Sequence, residues 1–340
     1  MPALPGANVG VRIAATARYL PERVLSNADL EKVMDTSDEW IVQRTGVKER
    51  RIAADDENVV TMAADALAPA LDAAGVELGE LDLLILATVG APMTCPSAAC
   101  QVLGRLSESS GPTTAGAFDL TAACSGFVYG LNIAHDMIRG GAYKNIAVVG
   151  AEQLSNTQEY STRGRGTAII FGDGAGAAVL RATDDTSKGV VAQSMHSNGS
   201  RWHDLFIPLR DSDYPEGVEQ GELPHGLMRM NGRGVFKFAV GTFSDLIAQT
   251  LEKAGVAADE VDHFICHQSN VRILEAARDR FGIPEHKMPM NIGEIGNTSA
   301  ASVPILFDGL SASGKVEDGQ KVMFVAFGGG LTWTSSLWQF

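Results

Sequence analysis

The sequence predicts a duplicated α/β protein, two halves of similar order with their central helices packed face to face. Three observations carry this. Continuous apolar runs such as Leu83–Val89 and Ile146–Val149 alternate with helical patterns through both halves, the alternation expected of an α/β fold. Leu71-Asp-Ala-Ala-Gly-Val-Glu-Leu-Gly-Glu-Leu-Asp82 aligns without gaps on Leu251-Glu-Lys-Ala-Gly-Val-Ala-Ala-Asp-Glu-Val-Asp262, with six identical positions, and each copy leads into a strand. The cysteine helix of the first half, Ser125–Arg139, then matches the one that Gly296–Ser302 leads into in the second. The expected halves are 1–183 and 184–340.

The elements follow in order. Residues 10–20 alternate as a first strand. Ser26-Asn-Ala-Asp29 supplies the cap of a short helix, and Ser37 or Asp38 caps a second. The basic cluster Gln43–Arg51 reads on its own as a solvated surface turn. Thr61–Gly75 is helical, and Leu83–Val89 is a strand buried on both faces. A helix is expected over Cys95–Leu103 with Pro96 in its first turn. Ala117–Leu120 is a strand, Ser125–Arg139 a helix weakened by Gly126 and Gly130, and Ile146–Val149 a strand. Thr167–Leu180 reads as two short strands about a glycine turn. Its Gly172-x-Gly-x-Gly is a weak nucleotide-loop signal, since no P-loop lysine or dinucleotide fingerprint follows. Residues 204–234 are a long loop or flap. Val235–Ala254 and Ser269–Phe281 are helices around a Val261–His267 strand. A further helix after Gly296 tolerates Pro304, and strands at Lys321–Phe327 and Leu331–Phe340 close the chain.

Composition narrows the function. With 340 residues, 45% hydrophobic and 20% charged, the chain has material for a large core. A net charge of −14 argues against nucleic acid as a bulk partner and leaves room for a local basic patch. Residues 1–7 lack a basic and an apolar region of a secretion signal, and no window approaches 18 uninterrupted apolar residues. The four cysteines, Cys95, Cys100, Cys124 and Cys266, form no C-x-x-C pair and no disulfide framework. The reading is a cytoplasmic, reduced protein with no metal and no membrane contact.

The chemistry centres on Cys124, which follows a strand and precedes a helix among small residues. Unpaired N–H groups and the helix dipole at such a junction favour a thiolate, the form that acts as nucleophile. A buried structural cysteine is the alternative for this stretch alone. Duplication would bring to Cys124 the equivalent junctions of the second half, His267 at a strand end and Asn297 before a helix. Taken singly, His267 also fits a structural histidine and Asn297 a helix cap. Cys266, next to His267, points to the opposite face.

These motifs resemble β-ketoacyl-acyl carrier protein synthase III, a condensing-enzyme family of the thiolase fold. The likeness runs through Trp40-Ile-Val-Gln-Arg-Thr-Gly, Ala-Ala-Cys124-Ser-Gly-Phe, Arg163-Gly-Arg-Gly-Thr, Phe171-Gly-Asp-Gly-Ala-Gly-Ala, His267-Gln-Ser-Asn-Val-Arg, Gly296-Asn-Thr-Ser-Ala-Ala-Ser-Val-Pro and Phe327-Gly-Gly-Gly-Leu-Thr-Trp. It implies five layers with central buried helices, and a homodimer that needs no cofactor. Cys124 would take the starter acyl group from acyl-CoA. His267 and Asn297 would bind the thioester carbonyl of malonyl-acyl carrier protein as it becomes an enolate. Gly329 would complete an oxyanion hole with Cys124, and Phe327 would keep the malonyl carboxylate's surroundings apolar. Trp40 and Arg165 would hold the adenine of CoA, Arg44 and Lys237 would line the entrance, and Arg272, with Arg278 and Arg280 on the same helix, would dock the carrier.

Cys95 departs from the family's pattern, since a bulky aromatic often precedes this proline and limits the partner subunit's acyl pocket. The flap over 204–234 also matches poorly. Two other readings stay open. One is a condensing enzyme of specialised metabolism with a different starter or acceptor. The other is a non-catalytic acyl- or carrier-binding subunit, whose expected mark is a lost Cys, His or Asn. A type III polyketide synthase fits the Gly-Asn-Thr-Ser-Ala-Ala block less well.

Overall fold

The computed structural model describes residues 9–218, 221 and 223–340. The reading of residues 1–7, and that of the flap at 219, 220 and 222, lie outside the described residues. Two sheets organise the chain. β1 (Gly10–Tyr19), β2 (Leu83–Ala87), β3 (Gly116–Leu120), β4 (Asn145–Glu152) and β5 (Gly174–Thr183) form the first, in the order β1-β5-β4-β2-β3. β6 (Gly189–Ser197), β7 (His263–Cys266), β8 (Lys321–Gly328) and β9 (Thr332–Gln339) form the second, in the order β6-β9-β8-β7. The directions correspond. β1 and β4 run antiparallel to β5, and β2 is parallel to β4. Likewise β6 and β8 run antiparallel to β9, and β7 is parallel to β8. β3 is an extra edge strand of the first sheet.

The longer helices are α1 (Asp38–Thr45), α2 (Val59–Ala74), α3 (Ala98–Ser110), α4 (Gly126–Arg139), α5 (Gly232–Ala254), α6 (Val271–Phe281) and α7 (Ser302–Ala312). Strand alternation sorts them into layers. Leu84 and Leu86 of β2 pack outward with α2 and α3, while Leu83 and Ile85 face inward. Phe127 and Leu131 of α4 and Val303 and Phe307 of α7 share that inner layer with Phe324 and Trp338 of the second sheet. α5 and α6 cover the second sheet's far face, against Phe264, Met323 and Val325. The result is five layers, helix on sheet on helix on sheet on helix, which is the thiolase architecture.

The repeated sequence performs the same work twice. Gly75 and Gly255 end α2 and α5 at φ of 62° and 65°, a left-handed turn that a side chain would strain. Glu80 and Glu260 accept the backbone N–H groups of Glu77 and Ala257 at 3.0 and 2.8 Å. Asp82 and Asp262 accept those of Asn145 and Lys321, each at 2.8 Å, and so anchor the first residue of β4 and of β8.

Several expectations are corrected. Ser97, whose hydroxyl accepts the Cys100 N–H at 3.2 Å, starts α3 at Ala98, so Cys95 and Pro96 precede the helix. Thr167–Leu180 holds one helical turn, Arg165–Ala168, and the single strand β5. Buried Asp173 makes the bend between them by accepting the Ala53 and Ser155 N–H groups. β6 has no counterpart among the predicted strands, because its outer half is exposed and polar. The Gln43–Arg51 cluster is not a solvated turn throughout. Arg50 is fully buried and donates to the Leu25 and Ile169 carbonyls and to Asn27 Oδ1 at 2.8–2.9 Å. In the flap, Leu205–Phe206 pairs with Arg229–Met230.

Gly126 and Gly130 have a packing reason. A Cβ at Gly126 would lie 2.9 Å from Ala87 Cβ, and one at Gly130 would lie 2.7 Å from Val148 Cγ1, so α4 lies on the sheet at a distance only glycine permits. Gly150 is tighter still, since a Cβ there would collide with the Ala300 carbonyl. Gly150→Ala is expected to destabilise the protein by about 3 kcal/mol or more, because backbone cannot move aside as a side chain can. Gly104→Ala, in open space on α3, should raise stability by about 0.5–1 kcal/mol. Urea unfolding midpoints of the two variants check both signs.

Candidate active site

Cys124 lies in a 3-10 turn, Ala123–Ser125, directly ahead of α4. The turn is entered through Ala123 at φ 47°, a left-handed conformation that costs a non-glycine residue free energy. The Cβ position of Gly328 is 2.6 Å from Cys124 N, so the end of β8 crosses directly over the nucleophile's backbone. His267 follows β7, its N–H bonded to Val325 O at 2.8 Å. Its Nδ1 is 2.6 Å from Ser302 Oγ, and its ring meets Phe327 edge-on at 5.5 Å. Asn297 bonds to both flanks of Phe171, its N–H donating to Ile170 O and its carbonyl accepting the Gly172 N–H. Its Oδ1 accepts the Ser299 N–H at 2.8 Å, which leaves the Nδ2 end to face elsewhere.

Three cavities share walls in succession. Cys124, His267, Asn297 and Phe327 line a narrow central one of about 100 Å³. On one side, an apolar cavity of about 390 Å³ reaches from Cys124 and Gly329 to Trp202 and to Phe206 and Met228 of the flap. On the other side, an outer cavity of about 470 Å³ is lined by Trp40, Arg44, Arg233, Phe236 and Arg272. The sequence-derived trio Cys124, His267 and Asn297 is therefore brought together, with Phe327 and Gly329 beside it.

The remaining residues divide. Arg44 and Arg165 stack on Trp40, their guanidinium carbons 4.7 and 4.9 Å from its ring centre, so Arg165 rests on the indole itself. Lys237 is exposed and does not line the outer cavity, whereas Arg233, about one turn earlier on α5, does. Arg272 reaches that cavity and stacks on Phe236 at 5.5 Å. Arg278 and Arg280, further along α6, pair with Glu285 at 3.9 Å and Asp245 at 2.8 Å. Cys95 is exposed and touches none of the three cavities within one chain. Ser302, Arg233, Trp202 and the flap residue Met228 were not singled out in the sequence. Only the polar Ser302 in an apolar helix carried a signal, one turn beyond the Gly-Asn-Thr-Ser motif.

Electrostatics correct one expectation. Burial pushes the Cys124 thiol up to about 12, drawn down in part by the Ser299 hydroxyl and pushed further by the Glu152 carboxylate. Burial also holds His267 down to about 3. The resting pair is thus neutral thiol and neutral imidazole. Removal of both groups from water outweighs the helix start, which lies beyond the 3-10 turn. Among the described residues, no group of three or more His, Cys, Asp or Glu side chains could hold a metal ion, and no helix is long and apolar enough to cross a membrane.

Comparison with known proteins agrees on one family. Residues 118–199 match the family model for 3-oxoacyl-[acyl-carrier-protein] synthase III, and residues 251–340 match the model for its C-terminal part. The chain is 42% identical over 326 residues to the β-ketoacyl-[acyl-carrier-protein] synthase III of Xanthomonas campestris pv. campestris, covering 96% of this chain and 97% of that one. The crystal structure of the Aquifex aeolicus 3-oxoacyl-[acyl-carrier-protein] synthase III superposes with a TM-score of 0.87 at 42% identity, over 98% of this chain and all of that one. The priming β-ketosynthase of the R1128 polyketide pathway gives a TM-score of 0.87 at 32% identity, over 97% and 96% of the two chains.

A thiol raised by burial has a readable consequence. Alkylation of Cys124 by iodoacetamide should keep accelerating above about pH 9, whereas exposed Cys95 and Cys100 label ahead of it near neutrality. Peptide mapping across a pH series checks this. Labelling of Cys124 that levels off near neutral pH would contradict it.

Proposed function

The chain belongs to the 3-oxoacyl-[acyl-carrier-protein] synthase III family, and we propose that Cys124, His267 and Asn297 carry out its decarboxylative condensation. Acyl-CoA and malonyl-acyl carrier protein give 3-oxoacyl-acyl carrier protein, CO₂ and CoA, the step that initiates fatty acid synthesis. The observation that carries the assignment of residues is the shared central cavity, with an apolar pocket on one side and a cationic, aromatic mouth on the other.

In the first half-reaction the Cys124 sulfur attacks the thioester carbonyl of acyl-CoA. The oxyanion that forms is held by the N–H groups of Cys124 and Gly329. The C–S bond to CoA then breaks, and the proton lost by Cys124 leaves with the CoA thiol. The acyl chain occupies the apolar cavity. In the second half-reaction, malonyl-acyl carrier protein places its thioester oxygen against His267 and Asn297. Neutral imidazole and amide N–H groups suit the enolate that forms as CO₂ departs, because they stabilise the new charge without a metal or cofactor. Phe327 presents an apolar edge to the malonyl carboxylate, favouring neutral CO₂ over the anion. The enolate carbon attacks acyl-Cys124 to form the new C–C bond, and collapse of that intermediate breaks the C–S bond and frees the thiolate, which takes a proton from solvent to restore the thiol.

At the mouth, Trp40 and Arg165 receive the adenine of CoA, with Arg44 and Arg233 beside them. Arg272 docks the acidic carrier, and Lys237 acts at longer range from the exposed side of α5. Arg278 and Arg280, already paired, contribute less. The division into 1–183 and 184–340 follows the two sheets. A second reading, a priming ketosynthase of specialised metabolism, is favoured by the resemblance to the R1128 enzyme.

His267→Ala and Asn297→Ala are each expected to slow malonyl decarboxylation by on the order of 10²–10³, while Cys124 still accepts an acyl group by intact mass. Arg272→Glu should raise KM for malonyl-acyl carrier protein far more than KM for acyl-CoA, and less so at high salt. Wild-type decarboxylation in either alanine variant, or an unchanged carrier KM at low salt, removes the corresponding role.

A homodimer is part of the same proposal. β3 is an edge strand with Phe118 exposed on it, and an unpaired edge with apolar side chains favours pairing with a second copy. Across that contact, Cys95 would face the partner's acyl pocket. Its small side chain leaves space for several methylenes, each contributing about 0.8 kcal/mol when buried. Medium-length acyl-CoA starters should then be accepted, and Cys95→Phe should shift kcat/KM towards acetyl-CoA. A monomer by sedimentation, or an unchanged chain-length profile, sinks this part.

A further inference from the structure

The two halves each build the same elbow ahead of a central helix, and only one carries the nucleophile. In the first, Ala122 precedes Ala123 at φ 47°, and the Ser125 N–H returns to Ala122 O at 3.1 Å. In the second, Thr298 precedes Ser299 at φ 48°, and the Ala301 N–H returns to Thr298 O at 2.9 Å. Ala300 therefore stands where Cys124 stands in the first copy. The strands that cross the elbows also correspond. β4 and β8 each have eight residues and begin at the site anchored by Asp82 or Asp262, which matches Glu152 with Gly328. Gly328 leaves the Cys124 N–H clear. Glu152 instead puts its carboxylate on the Ala300 N–H at 3.4 Å.

Glu152 is fully buried and has no cationic partner within the described ion pairs. It accepts the Val89 N–H at 3.1 Å and the Thr88 hydroxyl at 3.2 Å, with the Ser299 hydroxyl as a further donor. A buried carboxyl with no counter-ion is costly to desolvate. Its place makes sense if it serves the site. It fixes the Ser299–Ala301 turn, whose Ser299 N–H in turn holds Asn297 Oδ1, and its charge lies close enough to Cys124 to oppose the thiolate.

We propose that Glu152 is a positioning residue of the condensation, an internal anion seated on the second elbow where the first elbow receives the substrate's oxyanion. It holds Asn297 in place for the decarboxylation step and, from its seat on the Ser299–Ala301 turn, adds to the burial that keeps Cys124 a thiol. The inference rests on the roles proposed for Cys124 and Asn297. Of the titratable groups around Cys124, Glu152 faces it from β4 and His267 shares its cavity from the end of β7; the Ser299–Ala301 turn and Gly328 carry none.

The test compares Glu152→Gln and Glu152→Asp with wild type in three measurements: the pH profile of Cys124 alkylation, Cys124 acylation by intact mass, and release of CO₂ from malonyl-acyl carrier protein. Glu152→Gln should move the alkylation profile down by about one pH unit. It should slow CO₂ release by on the order of tenfold or more, with acylation retained. Glu152→Asp keeps the charge and shortens the reach, so its alkylation profile should stay and its CO₂ release should fall. A merely structural role would slow both half-reactions together and leave the profile in place, and that result overturns the proposal. If Glu152→Gln does not fold, Ser299→Ala removes the hydroxyl that the carboxylate engages. Slowed CO₂ release with acylation intact then supports the inference, and wild-type rates overturn it. Should wild-type Cys124 take no acyl group from any CoA thioester, the condensing reading fails, while the alkylation shift, which needs no substrate, still decides the role of Glu152.

Discussion

At the centre of this protein, backbone lies directly on backbone. β8 passes over Cys124 N at Gly328, and β4 passes under the Ala300 carbonyl at Gly150. Each contact joins a strand of one half to the elbow of the other. The left-handed residues at Ala123 and Ser299 exist because the chain must turn within that space, and packing on both sides holds them there. The face-to-face layering of α4 and α7, the seating of His267 beside Phe327 and the passage leading to Cys124 all presuppose those two approaches. A methyl group at either glycine would push the halves apart.

Burial then sets the chemistry. Water is excluded from Cys124, His267 and Glu152 alike, so each is pushed towards its uncharged form. Glu152 is raised to about 7, opposed by its four hydrogen-bond donors. A thiol and an imidazole that rest neutral leave little charge to reorganise, and hydrogen bonds around them are stronger than they would be in water. The arrangement favours a reaction in which charge appears only transiently.

Legibility in the sequence followed the range of the interactions. Local rules placed most strands and helices, and the twelve-residue repeat revealed the duplication because its Gly, Glu and Asp each make a bond within a few residues or to the adjoining strand. The junction logic put Cys124, His267 and Asn297 together for the same reason. Arg50 was misread because its three acceptors lie 23 to 119 residues away. Lys237 was carried over from the family resemblance alone, and it stands exposed about one turn beyond Arg233, the α5 residue that lines the outer cavity. Glu152 was not singled out, because its four donors, two backbone N–H groups and two hydroxyls, come from the 88–89 and 299–300 segments, far from it in sequence.

The stack of Arg165 on Trp40 has one further consequence. Arg165 lies on the indole face and also donates to the Asp35 carbonyl. On the proposed reading, an incoming purine gains the indole only by evicting a guanidinium that already makes a cation–π contact there. Recognition at the mouth is therefore an exchange, its net affinity the small difference between two comparable stackings. On that reading the nucleotide end of the thioester is held lightly, which suits an enzyme that must clear CoA from the passage before its second substrate can enter.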